Sequence, residues 1–504
     1  MRKSWKLGSA LLGSVLLVSS LSGCGGGNGN NANNANDGGQ ASAPSSASSS
    51  ASPSGSAAKP GKGAKISVAY WGAEFATAQD VEKTYKQIFE DYKKKTGTDV
   101  EFTFVPDNNY RTWMVTQQAA GSMPEVVLTR MAWVWEDYAK NQVYDMTPYL
   151  EKESPYNPGK PWKDTFLPSF YKDSVNPANG IVNSVPAYTA MIRILYNKEL
   201  FAKAGIDQAP QTWPEFIEDC KKLKDAGITP MAMSGQSNSH MTWFLTSIFG
   251  QLDEQLRKQM DTDGDNMVIK NELARATDKG LIDYTKYPFK DGLELFKDFS
   301  QYWNSDFNGI DEKSAQQLWL TGKAAMLLMN SADLKLVDDM EGRTFEYGGM
   351  PIPTLTKEQF PEAMGKSVVL GGAANESWAI SSTAKDDKLA ASVDLIQYLT
   401  SPEIEGRLAN ELGLLPTIPN AELPDKLKGF VLQNEDIRRA NYTGPATIKE
   451  FSDFLVKSLQ LYLSDKVDVN KLTEELNKEW KKGMDNAKTT NGWTEANGYG
   501  MTKN

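Results

Sequence analysis

The sequence predicts an α/β fold of two or three domains, with mostly parallel sheets covered by helices. Three observations predict it. The chain has 504 residues, too many for one hydrophobic core. Apolar residues make up 40% and charged residues 23%, the balance of a soluble globular protein. From residue 64 onward, stretches with strand alternation and stretches with helical spacing follow one another in turn.

The first 24 residues read MRKSWKLGSALLGSVLLVSSLSGC. Arg2, Lys3 and Lys6 form a basic start, and an apolar run from Leu7 to Val18 follows. That run is too short for a spanning helix, which needs about 20 apolar residues. A secretion signal is expected. The closing LSGC resembles a bacterial lipobox, which implies acylation of Cys24 and its exposure as the new N-terminus. Residues 25–63 contain no aromatic residue and no Leu, Ile or Val. Such a chain buries too little to offset its ordering entropy, so a flexible tether is expected.

The folded part opens with KISVAYWG, where Ile66, Val68 and Tyr70 alternate as in a strand. A helix follows, with Val81, Tyr85, Ile88, Phe89 and Tyr92 on one face and Gly97 placed to end it. DVEFTFVP is a second strand, YRTWMVTQQAAG a second helix and EVVLTR a third strand. In sheets of this kind ligands bind beyond the carboxyl ends of the strands. Trp71, Glu74, Tyr110, Arg111, Arg130 and Trp133 follow those ends. Further along, Trp213, Phe216, Ile217, Cys220 and Leu223 share one helical face. Cys220 is therefore expected as a buried thiol.

DTDGDNMVIKNE, residues 261–272, has the spacing of an EF-hand calcium loop. Asp261, Asp263 and Asp265 would give side-chain oxygens, Met267 a backbone carbonyl and Glu272 a bidentate carboxylate. The sixth place is Asn266 where such loops usually have Gly; Asn is the non-glycine residue best suited to a left-handed turn. A structural Ca²⁺ that pins this insertion, remote from any ligand, is the expectation.

ILYNKELFAKAGIDQAPQTWPEFIEDCKKLKDAGITPMAM, residues 194–233, resembles the extracellular sugar-binding proteins of ABC importers, the family that includes maltose-binding protein. LTGKAAMLLMNSADL from Leu320, the block from Gly371 to Pro416, and KVDVNKLTEELNKEW near the end match in the same order. The resemblance implies a two-lobed periplasmic-binding-protein-like fold of type II. Each lobe would be a mainly parallel sheet flanked by helices, with the ligand cleft between them. One lobe would comprise residues 64–189 plus 371–433, the other 190–370 plus 434–504. Crossings fall near Thr189, Leu370 and Gln433. The implied function is capture of a sugar or oligosaccharide and delivery to permease subunits, by a monomer lipid-anchored on the outer face of a bacterial membrane of Gram-positive type. Family members use these loops for ligands, and sugars need aromatic faces and hydroxyl-binding polar groups. The candidate set is therefore Trp71, Glu74, Tyr110, Arg130, Trp133, Tyr188, Trp243, Asp333, Glu376 and Trp378. Trp135 and Trp319 are assigned to the core.

Other classes fit less well. The formal net charge of -10 argues against nucleic acid, whose phosphates need basic patches. A secreted polysaccharide-active enzyme is one alternative, because a glycosidase needs only two carboxylates. No hydrolase motif is present, however, and His240 is the sole histidine. A serine triad would need it as base, yet SGQSNS lacks the G-x-S-x-G elbow. A surface adhesion lipoprotein without transport is the other alternative. The expectation is a binder without catalytic activity.

Overall fold

In the computed structural model of the chain, the described residues are 63–72, 78–176, 179–262, 264, 268–338, 343–368, 370–371, 376–431, 442–443 and 447–501. The signal, Cys24 and the tether up to residue 62 lie outside them, as do Glu74, Asp263, Asp265, Asn266 and Met267.

The first sheet has five strands: β1 (Lys65–Gly72), β2 (Asp99–Pro106), β3 (Val126–Arg130), β4 (Val185–Tyr188) and β10 (Glu376–Ile380). Their order is β2-β1-β3-β10-β4. β1 runs parallel to β2, with Lys65 opposite Asp99, and parallel to β3. Helix α1 (Ala78–Thr96) covers this sheet with its apolar stripe, and Val81, Tyr85, Ile88, Phe89 and Tyr92 are all buried. Lys93, Lys94 and Lys95 in its last turn complement the helix dipole. Gly97, at φ +79°, takes the left-handed conformation that ends it. α2 (Asp107–Ala120) and α3 (Met131–Ala139) each begin directly at a strand end. Both therefore start at the carboxyl edge of the sheet.

The second sheet contains β5 (Met191–Asn197), β6 (Thr229–Ala232), β7 (Ala324–Asn330) and β8 (Tyr347–Met350) in the order β8-β5-β7-β6, with β9 (Leu370–Gly371) also on β5. Helix α4 (Trp213–Asp225) starts in a capping box, in which Thr212 and Glu215 each accept from the other's backbone N–H. Trp213, Phe216, Cys220 and Leu223 are buried, as their spacing requires. Burial raises the Cys220 thiol well above its ordinary pKa, which makes it inert. Helix α5 (Asn238–Leu252) is buried almost all round. The acidic insertion leads into α6 (Lys270–Asp278). Trp319 is buried and donates its indole N–H to the Ala325 carbonyl at 3.2 Å, a core role as expected.

The sheets are mixed in direction. β2-β1-β3 and the pair β6–β7 are parallel. β10 runs antiparallel to β3 and β4, and β5 antiparallel to β7, β8 and β9. The antiparallel strands include those next to the passages between sheets, where the chain enters from the far side. β4 ends at Tyr188 and β5 begins at Met191, so the first passage is two residues long. Thr189 pairs there with Leu415. β9 belongs to one sheet and β10 to the other, so the second passage spans residues 372–375. At Gly371 (φ +87°) a Cβ would lie 2.0 Å from the Ala190 carbonyl oxygen, so only glycine fits where the end of β9 meets the first passage. Leu427 and Phe430 pack with Leu195 and Leu327 of the second sheet.

Candidate functional site

Three neighbouring strands of the first sheet end in polar residues that stand side by side. Glu376 opens β10 opposite Arg130, the last residue of β3, and opposite Tyr188, the last residue of β4. Arg130 Nε lies 3.8 Å from Glu376 Oε1. The Arg130 guanidinium stacks 4.1 Å from the Trp71 ring centroid and lies 5.3 Å from that of Trp133. The two indoles meet edge to face at 5.6 Å, the arrangement their quadrupoles favour. Arg111 flanks Trp133 at 5.4 Å and is clamped by Asp137 through two bonds of 2.8 and 3.0 Å. That fork is the strong geometry for a guanidinium and a carboxylate.

Below this group lies a layer of hydroxyls. Tyr70 donates to the Tyr188 hydroxyl at 3.3 Å. Burial, and after it the charge of Glu376, raises the Tyr188 phenol above its ordinary pKa. Burial does the same to Tyr70. Both stay neutral at physiological pH. The surface therefore offers guanidinium donors, a carboxylate acceptor and an aromatic ring over a rigid floor.

The structure thus brings together Trp71, Arg130, Trp133, Tyr188 and Glu376. It also corrects the roles of three residues. Trp71 was expected to stack on a ligand, but it is only 2% exposed and carries Arg130 on its face. It is a platform for the guanidinium. Tyr110 is fully buried, donates its hydroxyl to the Leu128 carbonyl at 2.7 Å and abuts Trp71 at 5.7 Å. It supports Trp71 from behind. Trp378 is 1% exposed and packs on Tyr70 and Tyr85, each at 6.0 Å. Strand register shifts between Glu376 and Ser377, so Glu376 stands at the sheet edge while Trp378 enters the core.

The second-sheet candidates sit apart in sequence from this group. Asp333 is buried in the turn Ser331–Asp333 after β7, beside the first passage, where Ser331 Oγ accepts from the Met191 N–H at 3.3 Å. Trp243 is partly buried on α5 against the second core. Sequence reasoning did not single out Asp137, which fixes Arg111, or Tyr70, which props Tyr188. Tyr70 read as an alternating strand residue, and nothing local marked Asp137.

Of the residues expected from the sequence to hold calcium, Asp261 and Glu272 are described. Asp261 accepts from the Gly264 N–H at 2.7 Å and lies 3.6 Å from Arg257. Glu272 is buried and accepts from the Thr262 N–H and hydroxyl, each at 2.6 Å, and from the Ile269 N–H at 3.1 Å. Val268 points inward, as an apolar residue of such a loop does. Among the described residues no group of three or more metal-type side chains converges. The oxygen-only donor set of 261–272 suits a hard cation.

The sequence model of the bacterial extracellular solute-binding proteins matches residues 76–405. The chain belongs to that family. Among curated relatives, the sn-glycerol-3-phosphate-binding periplasmic protein UgpB of Yersinia pestis is 24% identical over 277 residues, which is 54% of this chain and 57% of that protein. The protein of the same description from Rhizobium meliloti is 26% identical over 276 residues, again 54% and 57%. The chain therefore matches these relatives over little more than half of their length. Among solved structures, the sugar-binding protein MalE of Xanthomonas citri has a TM-score of 0.63 at 17% identity, covering 84% of this chain and 98% of that one. A chitin oligosaccharide binding protein gives 0.61 at 20%, covering 84% and 100%. A family 1 extracellular solute-binding protein of Bifidobacterium longum subsp. infantis gives 0.60 at 19%, covering 84% and 100%. The fold is the two-lobed α/β fold of these binding proteins.

Proposed function

We propose that the protein is the extracellular substrate-binding component of an ABC importer, and that it captures a sugar or oligosaccharide between its lobes without chemical turnover. One observation carries the reading: Arg130, Glu376, Trp133 and Tyr188 converge at the carboxyl edge of the first sheet, beside the passages to the second. Aromatic rings take the apolar faces of sugars, and paired charged groups take the hydroxyls. Closure of the second lobe over this surface would bury the ligand and create the shape that permease subunits recognise. The family membership and the sugar-binding names of the structural relatives support this reading.

A second reading has its own support. The curated relatives are described as binding sn-glycerol 3-phosphate, and two guanidinium groups lie at the candidate surface. Thermal-shift screening against neutral oligosaccharides and glycerol phosphate tests both, because a ligand of the folded state raises its melting temperature. Accumulation of cleaved product would instead support a polysaccharide-active enzyme. The absence of any soluble ligand would support an adhesin.

Three further assignments complete the proposal. Cys24 carries lipid and residues 25–63 tether the binding protein to the outer face of the membrane. The protein acts as a monomer. The loop 261–272 holds a structural Ca²⁺ through Asp261, Asp263, Asp265, Met267 and Glu272, and Glu272 exchanges hydrogen bonds within the loop for the ion.

A further inference from the structure

The charges of the first-lobe surface bear on which ligand it takes; this inference rests on the solute-binding reading above. Among the described residues, each guanidinium there has a carboxylate beside it. Arg111 is closed onto Asp137 by two short bonds. Arg130 stands 3.8 Å from Glu376. In the sequence, residues 73–77 after β1 read AEFAT and residues 372–375 before β10 read GAAN, with no Lys or Arg in either stretch.

A phosphate or carboxylate reaching Arg130 would come within a few ångströms of Glu376. Partly shielded from water, like charges at that range repel strongly. A hydroxyl pair meets the opposite situation. Each hydroxyl both donates and accepts, and here a donor and an acceptor sit next to each other. The Arg130–Glu376 gap exceeds the roughly 2.7–2.9 Å of a closed charge-assisted hydrogen bond. The facing N–H groups of Arg130 are thus not locked onto Glu376. Trp71 holds the guanidinium plane from below, so the donors are fixed in direction before a ligand arrives.

We propose that Arg130 and Glu376 form a charge-paired reader that selects an uncharged, hydroxyl-rich saccharide and rejects solutes bearing phosphate or carboxylate, glycerol phosphate included. The ligand contacts of the two residues are complementary: the guanidinium donates to one hydroxyl oxygen, and the carboxylate accepts from the neighbouring hydroxyl. No proton changes owner.

The test is titration calorimetry with neutral xylo-, malto- and chito-oligosaccharides, a uronate oligosaccharide and sn-glycerol 3-phosphate, at low and high sodium chloride. A neutral oligosaccharide should bind, with affinity changing less than twofold between the two salt concentrations. The two anions should bind at least tenfold more weakly. Glu376→Gln keeps the shape and removes the charge; it should weaken the neutral ligand about tenfold and strengthen the anions. The salt series on the unaltered protein stands even where that variant folds poorly. An anion that binds more tightly than every neutral sugar, with affinity falling as salt rises, overturns the charge reader while leaving the solute-binding reading intact. Failure of every compound to bind, or cleavage of any of them, overturns both.

Discussion

Replacing Trp71 and Arg130 separately by alanine divides support from contact. Trp71 is buried beneath Arg130, against Tyr110 and Trp133. Truncating a buried tryptophan costs about 3–5 kcal/mol. The unfolding entropy of roughly 440 folded residues is about 0.9 kcal/mol per degree, so melting should fall by about 3–5 °C. Arg130 differs. Its side chain is 41% exposed and its pair with Glu376 spans 3.8 Å. Its contact with the indoles is worth about 0.5–1 kcal/mol, and a partly exposed ion pair about 0–1 kcal/mol. Arg130→Ala should therefore melt within about 2 °C of the unaltered protein. Its effect on binding should be larger than that of Trp71→Ala. Losing a hydrogen bond from a charged donor costs about 1.5–3 kcal/mol, a fall of roughly ten- to a hundredfold in affinity. Trp71→Ala should lose less affinity, because the guanidinium remains but is no longer held. Differential scanning calorimetry and titration with the saccharide found by screening read the two effects. Unchanged affinity in Arg130→Ala refutes the contact role. A Trp71 variant that melts normally and has lost all binding refutes the support role.

Cys24→Ser should move the protein from the membrane fraction to the medium; a variant that stays membrane-bound removes the lipid anchor. Chelation should lower the melting temperature and calcium restore it, and Asp263→Ala with Glu272→Ala should abolish that response with saccharide affinity nearly unchanged; no effect of chelator, with no metal by elemental analysis, removes the site. Glu405 is buried, and burial lifts its carboxyl to about 8 despite hydrogen bonds from Thr417. Because its folded pKa lies above the unfolded value, its contribution is full below about pH 4.5 and is lost as pH rises through about 8, reaching on the order of 3 kcal/mol by pH 7. Glu405→Gln should flatten that decline, and parallel melting curves for the two proteins from pH 5 to 9 would refute it.

The fold was legible where local periodicity and core placement coincide. The stripe of α1, the stop at Gly97 and the buried face of α4 all follow from spacing in the sequence. Strand direction was less so. β10 reads as an ordinary apolar strand, and nothing local shows that it runs antiparallel beside β3, a strand far earlier in the chain. The site was legible in part for the same reason. Arg130 and Trp133 lie just after a strand, and their importance follows from that position. The depth of an aromatic ring does not. Trp71, Tyr110 and Trp378 carry the same local signal as Trp133, yet three are buried and one is partly exposed. Which face each takes depends on neighbours such as Arg130, brought there by β3, and Tyr85, brought there by α1. Asp137 shows the limit most clearly: it lies in the last turn of α3, and only the approach of Arg111 from another helix gives it a role.

Small-angle scattering of the protein with and without a saturating oligosaccharide shows whether the ligand is captured by lobe closure. A ligand held between two lobes binds both only when they close, so the radius of gyration should fall on saturation and the distance distribution should narrow. A radius of gyration that stays the same at saturating ligand would contradict capture by lobe closure.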